Sequence, residues 1–536
     1  MKRKSLLKRV ITLTLVVVMV FSLAACGGTK KGDDKQGDKT TGENQQGTTG
    51  EVKSGKLFEN PTKISIVMGS HASWPYDPNW KIWNIVKEAT NVQFDIQAIP
   101  NTEMATKVNL MMASRDQLPD LLHVIDKATP DKHALAGAFV PIMDNLDKLP
   151  NFDNWIKSTS DSKEYLTQRT SGDGKIYFFP TYGLHTINNM RAWMYRKDIF
   201  EKNNLTPPTN IDEMYTVAKK LKEIYPDSYP LAFRTGLGQL QVMAPQWKPY
   251  HDIYGYYDFN AGKWSYGAIE DTTKEMVMYF KKMADEELMP PDFLTIETKS
   301  WQELVASGKG FMMPEYIIRI DFFNGPARQA GEKDYTWSVM APPKGNGPDA
   351  TSKLRKTNFE FSGYLVCNTG KTENVNNAFK FVDWMYSPEG TEILSWGKEG
   401  VTYKDVNGKK QFILDDKGTP ARNLYGLGTY GLYQAVDPTS NEALYTEENV
   451  IEARKAIQYV EERANPLNWL PFNDAETEMN AQLGKTIQTY VDEQLSKFML
   501  GQRPMSEWDA YVQEVKKLDV DKLVKMYADA YKRVME

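Results

Sequence analysis

Short apolar runs alternate with helical repeats in the first part of this 536-residue chain. The runs at 63–68, 92–96 and 119–125 predict strands, and an amphipathic stretch with helical spacing separates each from the next. Strands that alternate with helices form parallel β-α-β units, so the pattern predicts an α/β lobe. Ligands of such sheets bind beyond the carboxyl ends of the strands, which places candidate sites at 70–74 and at Asp126.

From Arg191 onward the pattern is mainly helical. The predicted elements are a helix capped by Asn210 or Thr209, helices over 273–288 and 300–307, a strand near 358–368 and a helix over 375–386. Further helices follow to the C-terminus. Gly501 is expected to end one of them, and 506–509 resembles a capping box for the next. Their apolar stripes are typical of core packing rather than of partner-binding faces.

The N-terminus carries a basic segment followed by an apolar run from Val10 to Leu23. This arrangement is typical of a secretory signal, and the run is too short to predict a membrane span. Small residues then lead to Cys26, as in a bacterial lipoprotein signal, where diacylglycerol is attached to the cysteine. We therefore predict a signal peptide over 1–25 and a lipid anchor at Cys26 on the outer face of the cell membrane. The alternative is an ordinary cleavage site with a chance cysteine.

Residues 26–55 are almost entirely polar, which predicts a disordered tether between the lipidated cysteine and the folded part. The remaining length is sufficient for two lobes with sizeable cores. The formal net charge is −5, and no Lys/Arg cluster follows the signal, so nucleic acid is a poor partner. No second long apolar run occurs, so the anchor alone is expected to contact the membrane. The 13 Trp and 28 Tyr are the unusual feature, since many lie in loop-like segments.

Common catalytic motifs are absent from the sequence, including Gly-x-Ser-x-Gly, His-Glu-x-x-His, the phosphate-binding loop and Cys-x-x-Cys. Residues 426–431 match Gly-x-Gly-x-x-Gly, but no strand precedes them and no good helix follows, which favours a simple loop. The histidines are His71, His123, His133, His185 and His251, and they show no ligand spacing. We expect no metal, no cofactor and no disulfide between Cys26 and Cys367. A glycoside hydrolase needs only two carboxylates, so it remains the catalytic alternative.

Five blocks along the chain carry motifs that occur together in one family. They are 109–120, 194–202 with 207–209, 307–312, 397–403, and 497–501 with 508–512. Together they resemble the extracellular solute-binding proteins of family 1, which serve carbohydrate ABC importers, and in particular the large lipoprotein subgroup (LplA-like and alginate-binding-like). The resemblance covers nearly all of the mature chain. One departure concerns 225–231, which keeps a single Asp where many members carry an acidic calcium loop.

The resemblance implies an α/β fold of the periplasmic-binding-protein type II, with two hinge-connected lobes, a ligand cleft between them and a helical C-terminus. The first lobe is expected to be 56–182 plus 364–403, and the second, helix-rich lobe 183–363 plus 404–536. The hinge candidates are 179–183 and 360–364, with a third crossing after Tyr403. The implied function is a monomeric, lipid-anchored substrate-binding protein that captures an oligosaccharide and delivers it to the permease subunits of an ABC transporter. It is not expected to be an enzyme.

Aromatic rings cover the apolar face of a pyranose, while Asp, Asn, Glu and Arg bind its hydroxyls. On this basis the candidate ligand-binding residues are Trp74, Asp126, Tyr182, Arg191, Trp193, Trp247, Glu315, Tyr316, Arg319 and Trp469. Core packing is the alternative for the aromatic residues, and a structural ion pair is the alternative for Arg191. Trp301 is expected in the core. A peptide ligand, a sugar-sensing role and a tethered glycoside hydrolase are the alternative functions.

Overall fold

The computed structural model describes residues 55–71, 74–114, 118–183, 190–356, 362–416, 419–429, 431 and 434–535. Cys26 with its signal peptide and most of the predicted tether lie outside these residues, as do His185 and residues 360–361 of the second hinge candidate. Gly55–Glu536 forms one compact unit. None of the helices in the described part of the chain has the length and apolarity needed to cross a bilayer.

The strands are β1 (Thr62–Ser70), β2 (Val92–Pro100), β3 (Leu121–Val124), β4 (Arg191–Arg196), β5 (Gly255–Asp258), β6 (Lys263–Tyr266), β7 (Met312–Tyr316), β8 (Trp337–Met340), β9 (Gly363–Val366), β10 (Tyr403–Val406) and β11 (Lys409–Phe412). They form two larger sheets, with strand orders β2-β1-β3-β9 and β7-β4-β8, and two hairpins, β5-β6 and β10-β11.

The helices are α1 (Lys81–Thr90), α2 (Asn101–Ser114), α3 (Ala128–Ala134), α4 (Pro150–Ser158), α5 (Ser162–Thr167), α6 (Lys197–Lys202), α7 (Ile211–Ile224), α8 (Leu237–Met243), α9 (Asp271–Asp285), α10 (Thr298–Ala306), α11 (Arg319–Gln329), α12 (Thr372–Met385), α13 (Pro388–Trp396), α14 (Ala421–Tyr425), α15 (Pro438–Glu442), α16 (Glu447–Ala456), α17 (Asp474–Met479), α18 (Lys485–Met499), α19 (Trp508–Lys517) and α20 (Val520–Met535). A π-helical turn, Asn480–Gly484, joins α17 to α18.

The sheet of the first lobe contains the three parallel strands that the sequence predicts. β1 runs parallel to β2 and β3, and β9 pairs antiparallel with β3. The sheet is buried on both faces, since Ile66 of β1 packs in one core and its neighbour Val67 in the other. The carboxyl ends of β1 and β3 therefore lie at the same edge as Gly363, which begins β9.

The sheet of the second lobe is antiparallel, with β4 between β7 and β8. Its central strand also alternates between two cores, because Trp193 packs in one and Met194 in the other. Helices α18, α19 and α20 contribute buried residues such as Leu495 and Tyr511 to the larger core. At the edge where β4 begins, Arg191 pairs with Tyr316, which ends β7.

The chain after β9 stays with the first lobe beyond the predicted boundary at residue 403. Tyr425, Leu427 and Ala435 are buried in the first-lobe core, and Phe412 packs against it, whereas the predicted second lobe includes 404–536. Ala453 of α16 is the next buried apolar side chain of the second lobe. Leu444 still packs against the first-lobe core, whereas Thr446 N–H donates to Asp321 of α11 in the second lobe at 3.0 Å. We therefore propose that the third crossing lies at 444–446.

Three segments at or beside the predicted crossings are hydrogen-bonded to one another, and we call them the crossing segments: 179–183, 362–364 and 434–436. Phe179 N–H donates to Tyr364 O at 2.9 Å, and Tyr182 N–H donates to Gln434 O at 2.7 Å. The Gln434 side-chain amide donates to Phe179 O at 3.0 Å and to Pro180 O at 2.8 Å. The first segment thus lies between the other two and is bonded to both.

Local capping agrees with the sequence at one helix and differs at another. Asn210 caps α7 by accepting a bond from Glu213 N–H at 2.9 Å, as predicted. The predicted capping box at 506–509 is wrong, because a 3₁₀ turn over Met505–Glu507 leads directly into α19 and Glu507 at its N-cap makes no side-chain cap bond. Gly501 has φ 68° after the end of α18, where the sequence predicted a stop.

Gly183 offers a test of how tightly the crossing segments are packed. Its φ is +90°, and an added Cβ would lie 2.0 Å from Val436 O, whereas Gly137, with φ +78°, has nothing within 4 Å of such a Cβ. Gly137→Ala should lower the unfolding free energy by about 1–2 kcal/mol through backbone strain alone. Gly183→Ala should lower it by about 1–3 kcal/mol more, because the backbone must also move. Urea unfolding of the two variants measures the difference, and equal losses would contradict the close packing.

Candidate functional site

The edge of the first sheet carries an aromatic and cationic group directly after β1. The rings of His71 and Trp74 are stacked, with centroids 3.8 Å apart and planes 9° from parallel. Arg422 of α14 lies over the Trp74 ring, with its guanidinium carbon 4.5 Å from the ring centroid. We call His71, Trp74 and Arg422 the first-lobe wall of the candidate site.

Electrostatics links this wall to the second lobe. Burial, together with the positive charges of Arg422 and Arg319, lowers the pKa of His71 to about 4. His71 is therefore neutral at neutral pH and contributes a flat ring rather than a charge. Arg319 belongs to α11 of the second lobe, so a charge of the second lobe lies close enough to His71 to affect its pKa.

On the second lobe, three arginines surround one buried carboxylate. Glu315 of β7 is fully buried, and its carboxylate oxygens lie 3.0 Å from Arg234 Nη2, 3.4 Å from Arg319 Nε and 3.6 Å from Arg191 Nη1. The arginine side chains are 12%, 11% and 16% exposed, respectively. We call these four residues the arginine cluster. In the described residues, no other carboxylate lies within ion-pair distance of the three guanidinium groups.

Aromatic rings support the arginine cluster. Arg191 lies over the ring of Tyr316 at 4.3 Å, and Arg319 lies between the rings of Trp301 and Phe322 at 5.2 and 5.0 Å. Trp301 is fully buried, in agreement with its predicted core role, whereas Phe322 is 42% exposed. Arg234 Nε is buried and has no hydrogen-bond partner in the described part of the chain. The cluster therefore places cations next to a partly exposed aromatic ring.

Asp126 and Tyr182 are partly buried first-lobe residues near the same edge. Asp126 follows β3, beside the ion pair of buried Lys127 with Asp131. Tyr182 lies in the first crossing segment, and its ring centroid is 5.6 Å from that of Trp155. Asp126 thus follows a strand that pairs with β9, whereas the ring of Tyr182 packs against the first-lobe core.

The remaining three tryptophans of the predicted set occupy other places. Trp193 and Trp247 are only 0% and 3% exposed and belong to the second-lobe core. Trp193 Nε1 donates to Gln246 Oε1 at 2.8 Å, so its polar atom is also satisfied internally. Trp469 packs its ring 6.0 Å from Tyr531 of α20. The structure thus brings together four residues of the predicted set: Arg191, Glu315, Tyr316 and Arg319. The three tryptophans lie apart from these four, and we leave the tryptophans out of the proposed site.

The candidate site also contains residues that sequence reasoning missed. Arg234, Arg422 and Phe322 are not among the predicted residues, and His71 lies in the predicted segment 70–74 without being chosen as a ligand-binding residue. Arg234 comes close to Arg191 and Arg319 only through folding, because the three are far apart in the chain. For these residues, the one sequence signal for ligand binding is the position of His71 directly after β1, because ligands of such sheets bind beyond the carboxyl ends of the strands.

Metal-ligating groups are not assembled in the described residues, where no set of three His, Cys, Asp or Glu side chains is placed to hold an ion. His133 and His251 instead lie 2.8 Å from Asn109 Oδ1 and 2.9 Å from Thr273 Oγ1. Cys367 is a buried free thiol, and burial raises its pKa. What the site can do chemically is bind: rings stack on apolar faces, and guanidinium groups donate to hydroxyl or anionic oxygens.

Among solved structures, the chain is similar to the alginate-binding protein AlgQ2 without calcium ion, at 22% identity over 89% of this chain and 99% of that one, with a TM-score of 0.71. It is also similar to an HMO-binding ABC-transporter-associated solute-binding protein from Bifidobacterium longum infantis ATCC 15697 (15% identity, 88% and 98% coverage, TM-score 0.70). These likenesses confirm the predicted two-lobed α/β fold.

A sequence relative is the polygalacturonan/rhamnogalacturonan-binding protein YtcQ of Bacillus subtilis strain 168, which is 24% identical over 98% of this chain and 99% of its own length. Residues 81–402, well over half of the chain, match the family described as bacterial extracellular solute-binding protein. The resemblance noted in the sequence motifs is thereby confirmed. The chain belongs to the bacterial extracellular solute-binding protein family.

Proposed function

We propose that this protein is the lipid-anchored substrate-binding component of an ABC importer and captures an oligosaccharide between its lobes. The observation that carries the proposal is the pairing of two walls across the crossing segments. The first-lobe wall supplies the stacked ring of Trp74, and the arginine cluster supplies donors next to the exposed ring of Phe322. Rings beside clustered donors suit a pyranose, which has an apolar C–H face and a belt of hydroxyls.

Similar proteins support a carbohydrate ligand. YtcQ is named for binding polygalacturonan and rhamnogalacturonan, AlgQ2 for binding alginate, and a further fold neighbour was solved with kestose. A peptide ligand and a sugar-sensing role remain alternatives, and a tethered glycoside hydrolase is a third. The open site rests on rings and guanidinium groups rather than on two facing carboxylates, which favours binding over glycoside hydrolysis.

Delivery to the permease would use closure of the lobes. The crossing segments are few and short, so a change in their backbone angles moves one wall against the other. Ligand that contacts both walls binds the closed form better and shifts the population toward it. In this proposal the permease recognises the closed form, while the lipid on Cys26 and the polar tether keep the protein near the permease.

A thermal-shift screen of residues 56–536 against oligosaccharides and peptides tests the ligand class. A ligand at a hundred times its Kd should stabilise the protein by about 2.7 kcal/mol, which is visible as a higher Tm. We expect a rise with at least one glycan series and no release of reducing ends during incubation. A rise with peptides alone would overturn the carbohydrate assignment, and released sugar would show a hydrolase.

The two half-buried tryptophans of the predicted set provide a matched pair of variants. Trp74→Ala removes the ring that stacks on His71 and lies under Arg422, so sugar affinity should fall on the order of tenfold. Trp469→Ala removes a ring packed on Tyr531 and should leave the affinity unchanged. Titration calorimetry with the glycan found in the screen measures both. The reverse order of effects would place the ligand near the C-terminal helices instead.

The anchor is tested by Cys26→Ser in the full chain expressed in a Gram-positive host. Without the thiol no diacylglycerol can be attached, so the protein should move from the membrane fraction to the medium, because two acyl chains supply the stable attachment. Cys367→Ser is the control, since that thiol is buried in the fold and should not affect fractionation. Retention of the Cys26→Ser protein in the membrane fraction would rule out lipidation as the anchor.

A further inference from the structure

We propose that the captured oligosaccharide is acidic, and that Arg191, Arg234 and Arg319, held around Glu315, bind a carboxylate of one of its sugar residues. The inference rests on the proposed function and specifies its substrate class. It assigns the arginine cluster as the subsite that distinguishes a uronic acid residue from a neutral sugar.

Charge balance is the first reason. Three guanidinium groups, which stay protonated at all physiological pH values, share the single carboxylate of Glu315. All three arginine side chains are largely buried, and a partly buried cation without a counter-charge is costly. Within the described chain the cluster therefore holds excess positive charge, which an anionic group of a ligand would balance.

Donor geometry is the second reason. The buried Nε of Arg234 has no hydrogen-bond partner in the described residues. Arg191 Nη1 donates to Gln239 Oε1 at 2.9 Å. Arg319 uses its Nε for Glu315, and no bond from its two Nη groups is found in the described structure. A planar guanidinium with free Nη donors matches the two oxygens of a carboxylate better than it matches isolated hydroxyls.

The facing wall carries the same sign of charge. Arg422 lies over Trp74, and the charges of Arg422 and Arg319 add to the effect of burial in lowering the pKa of His71. The candidate site is thus positive on both sides, although the chain as a whole has a formal net charge of −5. A local field opposite in sign to the net charge attracts anionic ligands to this place in particular.

A neutral sugar is the competing ligand. It could also accept hydrogen bonds from the arginines, but it would leave their charge uncompensated in a largely dehydrated place. The neutral oligomer should therefore bind more weakly than an acidic oligomer of the same length and linkage. This difference is what the experiment must isolate.

Titration calorimetry on the full chain purified in mild detergent makes the comparison. The probes are oligogalacturonates and oligomannuronates of four to six residues, each beside its carboxyl-reduced counterpart, which keeps length and linkage and lacks only the charge. Neutral malto- and xylo-oligosaccharides complete the panel. We expect binding to at least one acidic series, at least tenfold weaker binding to its reduced counterpart, and weaker binding of the acidic oligomer as NaCl is raised.

Variants tie the preference to the arginine cluster. Arg319→Met keeps the length of the side chain and removes the charge, so the acidic oligomer should lose at least tenfold in affinity and the reduced one distinctly less. Arg319→Lys keeps the charge and should recover part of the loss. Arg454→Met is the matched control, because Arg454 is 64% exposed and pairs with Glu442 away from the cluster. An unchanged Tm in each variant separates loss of binding from loss of folding.

The possible outcomes distinguish the acidic-ligand proposal from the oligosaccharide-importer proposal. Equal affinity for an acidic oligomer and its reduced counterpart, or an Arg319→Met variant that binds both as the wild type does, would overturn the acidic ligand and keep the oligosaccharide importer. Binding of neutral oligomers alone would have the same meaning. Absence of binding to every sugar in the panel would count against both proposals.

Discussion

The carboxylate of Glu315 is the interaction on which the second-lobe side of the site depends. It is fully buried at the end of β7 and draws together guanidinium groups from the start of β4, the segment before α8 and the start of α11. Without it, three like charges would repel one another in a place that water barely reaches. Glu315 therefore allows the arginines to be concentrated and fixes their positions, while its single charge leaves the cluster positive.

The crossing segments impose the second constraint, because they determine which strand ends meet. Arg191 begins β4 shortly after the first crossing segment, and its antiparallel partner Tyr316 ends β7 at the same edge. On the other lobe, β9 begins at Gly363 next to the carboxyl end of β3, so the parallel strands end near the crossing as well. The site follows from this topology: any residue at these strand ends is brought toward the opposite lobe.

The sequence predicted the parts of the structure that depend on local patterns. The strands β1 to β3, their parallel pairing and the cap of α7 by Asn210 follow from periodicity and capping chemistry, which act over short distances. The capping box at 506–509 was wrong because a 3₁₀ turn competes with it, and the return of 421–435 to the first lobe depends on long-range packing that no local pattern encodes.

The candidate site was harder to predict for the same reason. Arg191, Glu315 and Arg319 were chosen from the sequence as possible sugar ligands, but their assembly around one carboxylate depends on β4 and β7 pairing across more than a hundred residues. The sequence has no Lys/Arg run in this region, so a search for basic segments finds nothing, and Arg234 gave no signal at all. Trp193 and Trp247 show the opposite error, because an aromatic residue that follows a predicted hinge or adjoins a proline can equally well fill a core.

The positive charge on both walls has a consequence for the closure of the lobes. Arg422 on the first lobe and Arg319 on the second both contribute to the lowered pKa of His71, so the proposed closure, without a ligand, would bring like charges closer together. An anionic ligand between Arg422 and Arg319 would replace that repulsion with an attraction to each of them. Because it would contact both only in the closed form, it would bind the closed form more tightly than the open form. A neutral sugar of the same shape would remove none of the repulsion. Under the proposed ligand class, the charge that selects the ligand is therefore also the charge that couples its binding to closure, and the one feature would serve both recognition and delivery.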